Sequence, residues 1–455
     1  MRKILITLGL IVPTISAFCQ QDSLLKTFKY RIDTYRAISL GSYAASNYSN
    51  IERAVDTQKN SVISAGIGVT YYTTKSTDRI LLTSNNSLSV GYSHGKSDDL
   101  TNINRYKSFE LMPSSSILNK WYSKKYFTEL GANISGNYYN YNSKLSNQPV
   151  SGRQKNGFYS LAINTGIGQG RLENITDMQN ALWLNKVLTE VNSLSRTLTP
   201  AELNGLGRSI TKGNNTRVLD SRKRIQFILK TVDDYLQQQG LIKKTDIDYF
   251  SNLNDILFFA INNPRLAGTE KYLRFTPAIA LDKRDYKYSN DINKFKHRRN
   301  TQSFVLTSGI SKYVPISLTH QNNYGANIKL SYLHSDLSDK YLTNDVVTDE
   351  MKTKSEMKQA GVQAFYEHAI YPNTRTTINV NLNAESGYQN FVVNNNFYAI
   401  VNLTATANYF ISYRTRFTCS LGMQYIKNDY TVYQYPYQRP NGINLSANAG
   451  IEINL

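Results

Sequence analysis

From Ile443 to Leu455 the chain reads INLSANAGIEINL, apolar at every odd position and polar or glycine at every even one. Side chains on a β-strand alternate between two faces, so this stretch is a strand with one apolar side and one wet side. The alternation runs to the last residue with no tail, as expected of a final strand that closes against the first and leaves no edge. The same period of two recurs through most of the chain. It is clear at Ile63, Ala65, Ile67, Val69 and Tyr71, at Leu130, Ala132, Ile134 and Tyr138, at Tyr324, Ala326, Ile328, Leu330 and Tyr332, and in the long run from Phe397 to Ile411. With a first strand near Ile38 to Ala44, the pattern predicts an antiparallel all-β chain of about fourteen strands, within 12–16.

Composition says what the apolar sides face. Hydrophobic residues make up 40% of 455 residues, and mean hydropathy is −0.43. That excludes a bundle of membrane-crossing helices but not a membrane barrel, whose alternating strands average to a polar composition. Tyrosine is abundant at 34 and proline scarce at 10, which favours strands over disorder. At the N-terminus Arg2 and Lys3 precede the short apolar run Ile4 to Ile15, and Ala17-Phe18-Cys19 forms a small-x-small cleavage site before Gln20. Residues 1–19 therefore read as a secretory signal peptide. Cys19 raises a lipoprotein alternative, which Phe18 fits badly. Once the signal is removed Cys419 is the remaining cysteine, so no intramolecular disulfide is available.

The connections carry an independent signal. Those after even-numbered strands are short: Lys75 to Asp78, Ser123 to Lys125, Val314 to Ile316, Tyr371 to Thr374 and Ser412 to Arg416. Those after odd-numbered strands are longer and polar: Gly95 to Asn104, Ser143 to Asn156, Tyr286 to Asn300, Asp336 to Met357 and Asn428 to Gly442. A soluble sandwich has no reason to sort loops by parity, whereas an outer-membrane barrel has short periplasmic turns and longer outer loops. The block 171–268 breaks the pattern and reads as three or four amphipathic helices. Thr199-Pro200-Ala201-Glu202 is a capping box, Asp220 and Thr245 are candidate caps for two further helices, and Gly240 is a stop. By parity the block lies on a periplasmic connection. The predicted organisation is a signal at 1–19, half a barrel at 20–170, a helical periplasmic insert at 171–268 and the second half at 269–455.

At the junction, Gly166-Ile167-Gly168-Gln169-Gly170-Arg171-Leu172-Glu173 followed by Ile175-Thr176-Asp177 resembles an uncharacterised family of outer-membrane β-barrel proteins of the Bacteroidota. Asp220-Ser221-Arg222 and Leu253-Asn254-Asp255 look like features of the same family. The resemblance covers most of the mature chain and is specific mainly at the insert. It implies an outer-membrane location and no known activity. The terminal strand is similar to the signal read by the barrel assembly machinery, although such signals commonly end on an aromatic residue and this one ends on Leu455.

Other motifs weaken when their chemistry is checked. The Gly166-x-Gly168-x-Gly170 run resembles a nucleotide-binding fingerprint, but Arg171 replaces the sixth-position glycine and no parallel βαβ unit surrounds it. The glycines are expected instead to let the chain leave the barrel wall, with Arg171, Glu173 and Asp177 pairing within the insert or with the rim. His94, His297, His320, His334 and His368 show no metal-ligand spacing, and Glu367 and His368 should face opposite sides of one strand. No catalytic arrangement stands out, so no enzyme activity and no cofactor are expected; a lipid-modifying barrel enzyme is a distant alternative. The net charge of +19 includes the basic run KRDYKYSNDINKFKHRR. With a secretory signal its partners are outer-membrane lipid and lipopolysaccharide rather than nucleic acid, and a solvated loop is the plainer reading. Tyr71, Tyr92, Tyr138, Tyr409, Tyr413 and Tyr425 stand near strand ends as interfacial girdle residues. Together these readings predict a transmembrane barrel in the outer membrane of a Gram-negative bacterium, passing small hydrophilic solutes. The alternative is a scaffold whose insert docks a periplasmic protein or the cell wall.

Overall fold

The computed structural model describes residues 20–52, 57–98, 103–145, 151–218, 220–259, 265–287, 292–391, 395–412, 415–428 and 442–453. The signal peptide, Tyr413 and Leu455 lie outside the described residues. A helix, α1 (Gln20–Thr27), leads into β1 (Ile32–Glu52), β2 (Thr57–Ser76), β3 (Ile80–Asp98), β4 (Ile103–Ser123), β5 (Tyr126–Leu145) and β6 (Ser151–Asn174). Four helices follow: α2 (Thr176–Glu190), α3 (Pro200–Asn215), α4 (Ser221–Gln238) and α5 (Ile247–Phe259). The chain then returns through β7 (Leu266–Lys287), β8 (Asn293–Pro315), β9 (His320–Thr343), β10 (Val346–Asn373), β11 (Thr376–Phe391), β12 (Asn395–Phe410), β13 (Thr415–Asn428) and β14 (Gly442–Ile453).

The strands form one 14-stranded sheet in sequence order, and the neighbouring strands pair antiparallel. This is the architecture of a transmembrane β-barrel, and the fourteen strands match the count read from the alternation. The sheet is strongly curved. Arg171 near the end of β6 donates to the Ser76 hydroxyl at 2.8 Å and to the Thr77 carbonyl at 2.6 Å. On a flat sheet β6 and β2 stand about 19 Å apart, farther than an arginine reaches. The concave face carries Lys120, Glu129, Arg171 and Arg274. The convex face carries the alternating Ile, Leu and Val side chains, which remain exposed: Ile63 63%, Leu130 50%, Ile328 54% and Leu421 58%. Among the described residues β14 pairs with β13 and β1 with β2, so the expected ladder between the first and last strands is not formed here.

Two expected boundaries change. The Asp336 to Met357 connection is no loop: β9 and β10 continue through it to a two-residue turn at Asn344 and Asp345, with φ of 51° and 63°. Positive φ at both central residues gives the twist that a tight hairpin needs. A strand that has risen into water no longer alternates apolar with polar, so period two cannot reveal it. The second change is at the insert. Residues 171–174 still pair with 266–269 between β6 and β7, with Arg171 opposite Thr269 and Asn174 opposite Leu266. The helices occupy 176–259.

The hydrophobic core belongs to the helices, not to the sheet. Met178, Leu184, Leu188, Leu203, Leu206, Ile210, Leu236 and Leu253 are fully buried there. Leu25 and Phe28 of the segment before β1 join them, so the start of the described chain folds into the insert. The capping box forms at Thr199 and Glu202. Asp220 accepts from the Lys223 amide as the α4 cap. Gly240, at φ 63°, ends α4 with its amide on the Gln237 carbonyl. The α5 cap is Asp246 rather than Thr245: its carboxylate accepts the Tyr249 amide at 3.0 Å. A carboxylate suits this place because it also complements the positive end of the helix dipole.

Candidate functional site

The inner face of β4 to β7, near the short turns, holds a row of charges set by strand register. Lys120 stands opposite Glu129, Glu129 opposite Gly166, and Gly166 opposite Arg274. Because Gly166 has no side chain, Glu129 and Arg274 meet across β6, the guanidinium donating through both Nε and Nη2, the latter at 3.1 Å. Lys120 completes the set, 2.7 Å from Glu270 and 3.7 Å from Glu129. Its ammonium also lies 4.7 Å from the centre of the Phe127 ring. The Glu129 side chain is wholly buried, so these two cations rather than water are its partners. A Cβ on Gly166 would lie 2.8 Å from both the Glu129 carboxylate and the Leu273 carbonyl, and one on Gly168 would strike the Phe127 ring. The glycine run therefore clears space on the inner wall. It does not let the chain leave the wall, as the sequence suggested, except that Gly170 adopts φ 91°.

A second cluster sits at the short-turn rim. Arg31 makes a bidentate pair with Glu173, at 2.8 and 2.9 Å, and a further bond to Asp78 at 2.7 Å. Arg171 lies 3.2 Å from Glu173 and stacks over Tyr122 at 4.6 Å. The bond from Arg31 holds the Asp78 carboxyl below its usual range. Of the candidate junction residues, Arg171 and Glu173 come together on the rim. Asp177 does not join them. It is buried beneath α3, accepting from Thr211 at 2.7 Å and Asn214 at 3.0 Å. Burial pushes its carboxyl up to about 6 despite those two bonds.

The third element is Arg265, where the insert rejoins the sheet. It is 1% exposed. Its guanidinium donates to Gln321 and to the Leu318 carbonyl at 2.7 Å, to the His320 carbonyl at 2.9 Å, and to the Ser317 carbonyl. It also stacks 4.9 Å over Tyr371. Arg375 in the β10–β11 turn pairs with Asp255 of α5, and Tyr30 is hydrogen-bonded to Asn215 at the end of α3. The helical unit is thus tied to turns from β2–β3 around to β10–β11, lying across one end of the curved sheet.

Sequence reasoning missed Lys120, Glu129, Glu270 and Arg274. Their signal was present: each is a charge on the wet face of an alternating strand. Arg265, in Asn263-Pro264-Arg265-Leu266, carries no such signal. The girdle tyrosines fall at two heights on the outward face. Tyr71 and Tyr409 lie toward the short turns, while Tyr92, Tyr138 and Tyr425 lie toward the far end. From Asn86, opposite Tyr71, to Tyr92 is about 20 Å of strand, the scale of a hydrocarbon layer. Glu367 and His368 bond to Asn323 and Asn322 respectively, on opposite faces as expected. Among the described residues no group of three or more His, Cys, Asp or Glu is placed to hold a metal ion.

No protein-family model matches the chain, and no curated protein matches it in sequence. Solved structures show a likeness of strand architecture. The ferric yersiniabactin uptake receptor FyuA of Yersinia pestis is 6% identical over 89% of this chain and 62% of its own, at TM-score 0.31. This chain therefore spans less than two thirds of that receptor's length. The β domain of the Bordetella autotransporter BrkA is 9% identical over 93% of this chain and 100% of its own, at TM-score 0.28. A mutant of the TodX monoaromatic hydrocarbon channel is 8% identical over 88% of each chain, at TM-score 0.27.

Proposed function

We propose that this protein is an outer-membrane barrel of a Gram-negative bacterium, belonging to the Bacteroidota family it resembles, that passes small hydrophilic solutes. Its short turns and helical unit face the periplasm. The observation that carries this reading is the division of the sheet into an exposed apolar face and an inner face of paired charges, with a helical unit across one end. Apolar side chains left bare on the convex face suit lipid, and a charge-balanced interior suits water and solute. The helical unit restricts the inner mouth, so conductance through the intact protein is small. Planar-bilayer recording of the purified protein, with and without residues 176–259, tests this. Small steps from the intact protein and larger ones from the deletion are expected, and silence from both refutes it. Heat-modifiable migration of the outer-membrane fraction checks the location separately.

A second reading has its own support. Ile247 at the start of α5 is 86% exposed and Phe250 is 44% exposed, an apolar spot on the helical unit. It suits a unit that docks a periplasmic partner. If Ile247→Asp abolished recovery of a specific periplasmic protein while conductance stayed, the scaffold role would stand beside the pore.

A further inference from the structure

The outward face of β7 to β10 changes character along its height. Its lower rows are mostly apolar on β7 to β9, with Lys358 of β10 beside Tyr332. Phe275, Phe304 and Tyr332 form a stacked aromatic ladder across β7, β8 and β9, with ring centres 6.4 and 6.5 Å apart. Six residues farther along β8, about 20 Å of strand, the same face becomes cationic. Lys283, Arg298, Ser338 and Lys352 stand in one cross-strand row, and Leu281, Asn300, Asp336 and Lys354 in the row beneath it. These two rows surround a cavity of about 420 Å³, to which Arg299 and Asp282 also contribute. On this face four cations, Lys283, Arg298, Lys352 and Lys354, stand with Asp336, while Arg299 and Asp282 alternate to the other face. Arg298 is held by Asp285 at 2.8 Å and Lys352 by Glu350 at 3.1 Å. Among the described residues Lys283 and Lys354 make no ion pair.

We infer that this cavity binds the phosphorylated sugar headgroup of an outer-leaflet glycolipid, with its acyl chains on the aromatic ladder. The inference rests on the proposed orientation, in which this end of the sheet faces the outer leaflet. Three features select the ligand. The unpaired lysines call for a multiply charged anion such as a phosphate monoester. Asn300 and Ser338, in the same two rows as the cations, offer hydrogen bonds of the kind that sugar hydroxyls use. On the same face the aromatic ladder begins just past the mixed row of Ile279, Gln302, His334 and Glu356, so a ligand that reaches both is an amphiphile. A free phosphate would gain nothing from the ladder.

Native mass spectrometry of the purified full-length protein, titrated with diphosphoryl lipid A, tests the assignment. The double variant Lys283→Gln/Lys354→Gln is expected to bind about 30-fold more weakly, from the usual contribution of two lysines at a lipid surface. Lys283→Arg/Lys354→Arg should retain binding, and inorganic phosphate at millimolar concentration should not compete. Unchanged binding by the glutamine variant overturns the inference. So does effective competition by inorganic phosphate, which would make the cavity an anion site only. Equal weakening by Lys59→Gln, on β2, overturns it as well, since net charge alone would then explain the effect. Heat-modifiable migration and conductance are read on the same preparations. If those fail in the wild type, the barrel reading is wrong. If they hold while the lipid result fails, only this site is wrong.

Discussion

Replacing Arg265 with alanine is the sharpest test of how the helical unit is held. The guanidinium is buried and saturates three carbonyls of the β8–β9 turn together with the Gln321 side chain. Gln321 in turn donates to the Leu266 carbonyl at 3.0 Å and to Asn323 at 2.7 Å. Truncation leaves these acceptors facing a cavity. A buried polar group without a partner costs about 1–3 kcal/mol, and bonds to a charged donor contribute about 1.5–3 kcal/mol each. Water can enter the vacated space at the rim, so the sum does not accumulate fully. Breaking a buried ionic anchor costs about 3–5 kcal/mol in comparable settings, which is roughly two to four orders of magnitude in a local opening equilibrium. Amide hydrogen exchange of the folded protein should show Ser317 to Gln321, and the amides of α2 beside them, exchanging faster by that factor. Arg265→Lys should fall between, because one ammonium cannot reach four acceptors spread around a planar fork. The exposed Arg196–Glu202 pair provides a control whose removal should leave those amides unchanged. Exchange within threefold of wild type in Arg265→Ala would refute the claim that this residue ties the helices to the sheet.

Four further outcomes are expected. Gly168→Ala should destabilise by about 1–3 kcal/mol in urea-induced unfolding, because its Cβ would meet the fixed Lys271 carbonyl as well as the Phe127 ring, whereas Gly41→Ala, with nothing within 4 Å of the added atom, should be near neutral. The Asp177 carboxyl is raised to about 6 by burial, so the folded helices bind its proton more tightly than the unfolded chain does. Their stability should fall as pH rises from about 4 to 6, by on the order of 3 kcal/mol at 1.36 kcal/mol per pH unit, and then level off. Asp177→Asn should remove that slope in hydrogen exchange of α2 and α3. Glu129→Gln leaves two cations facing Glu270 alone, so the reversal potential in a salt gradient should shift toward anion preference. In a lipid bilayer the amides of β14 should exchange as slowly as those of β13, and fast exchange along β14 would show an unpaired edge.

The strand architecture was legible because a sheet with one apolar and one polar face imposes period two: Ile63 to Tyr71 and Phe397 to Tyr409 read the same in sequence and in the sheet. Helical elements were legible through local chemistry, as at the Thr199 capping box and the Gly240 stop. What escaped was set by pairing in space. Glu129 and Arg274 lie far apart in sequence and meet because Gly166 between them is bare, so the glycine run looked like a turn signal when it is a clearance. Leu25 and Phe28 fall within the span 20–170 assigned to the first half of the barrel, yet they complete a core whose other members lie beyond residue 170. The polar upper halves of β9 and β10 carry no periodicity, since a strand surrounded by water needs no apolar side.

The two edge strands connect the sheet to its surroundings. β14 has 12 residues, and about half of them turn an amide and a carbonyl toward its free edge. In hydrocarbon each unpaired group costs several kcal/mol, so an open β14 would cost tens of kcal/mol against a net folding stability of about 5–15 kcal/mol. No arrangement of the helical core could offset that. The membrane form must therefore pair β14 with another edge, and among the described residues β1 leaves its own edge open. β1 is the longer of the two, with 21 residues, so β14 covers only part of it. The uncovered part can remain open only where water reaches it, outside the apolar band. The terminal alternation at Ile443 to Ile453 then does two things: its side chains face lipid and lumen, and its backbone supplies the closing ladder.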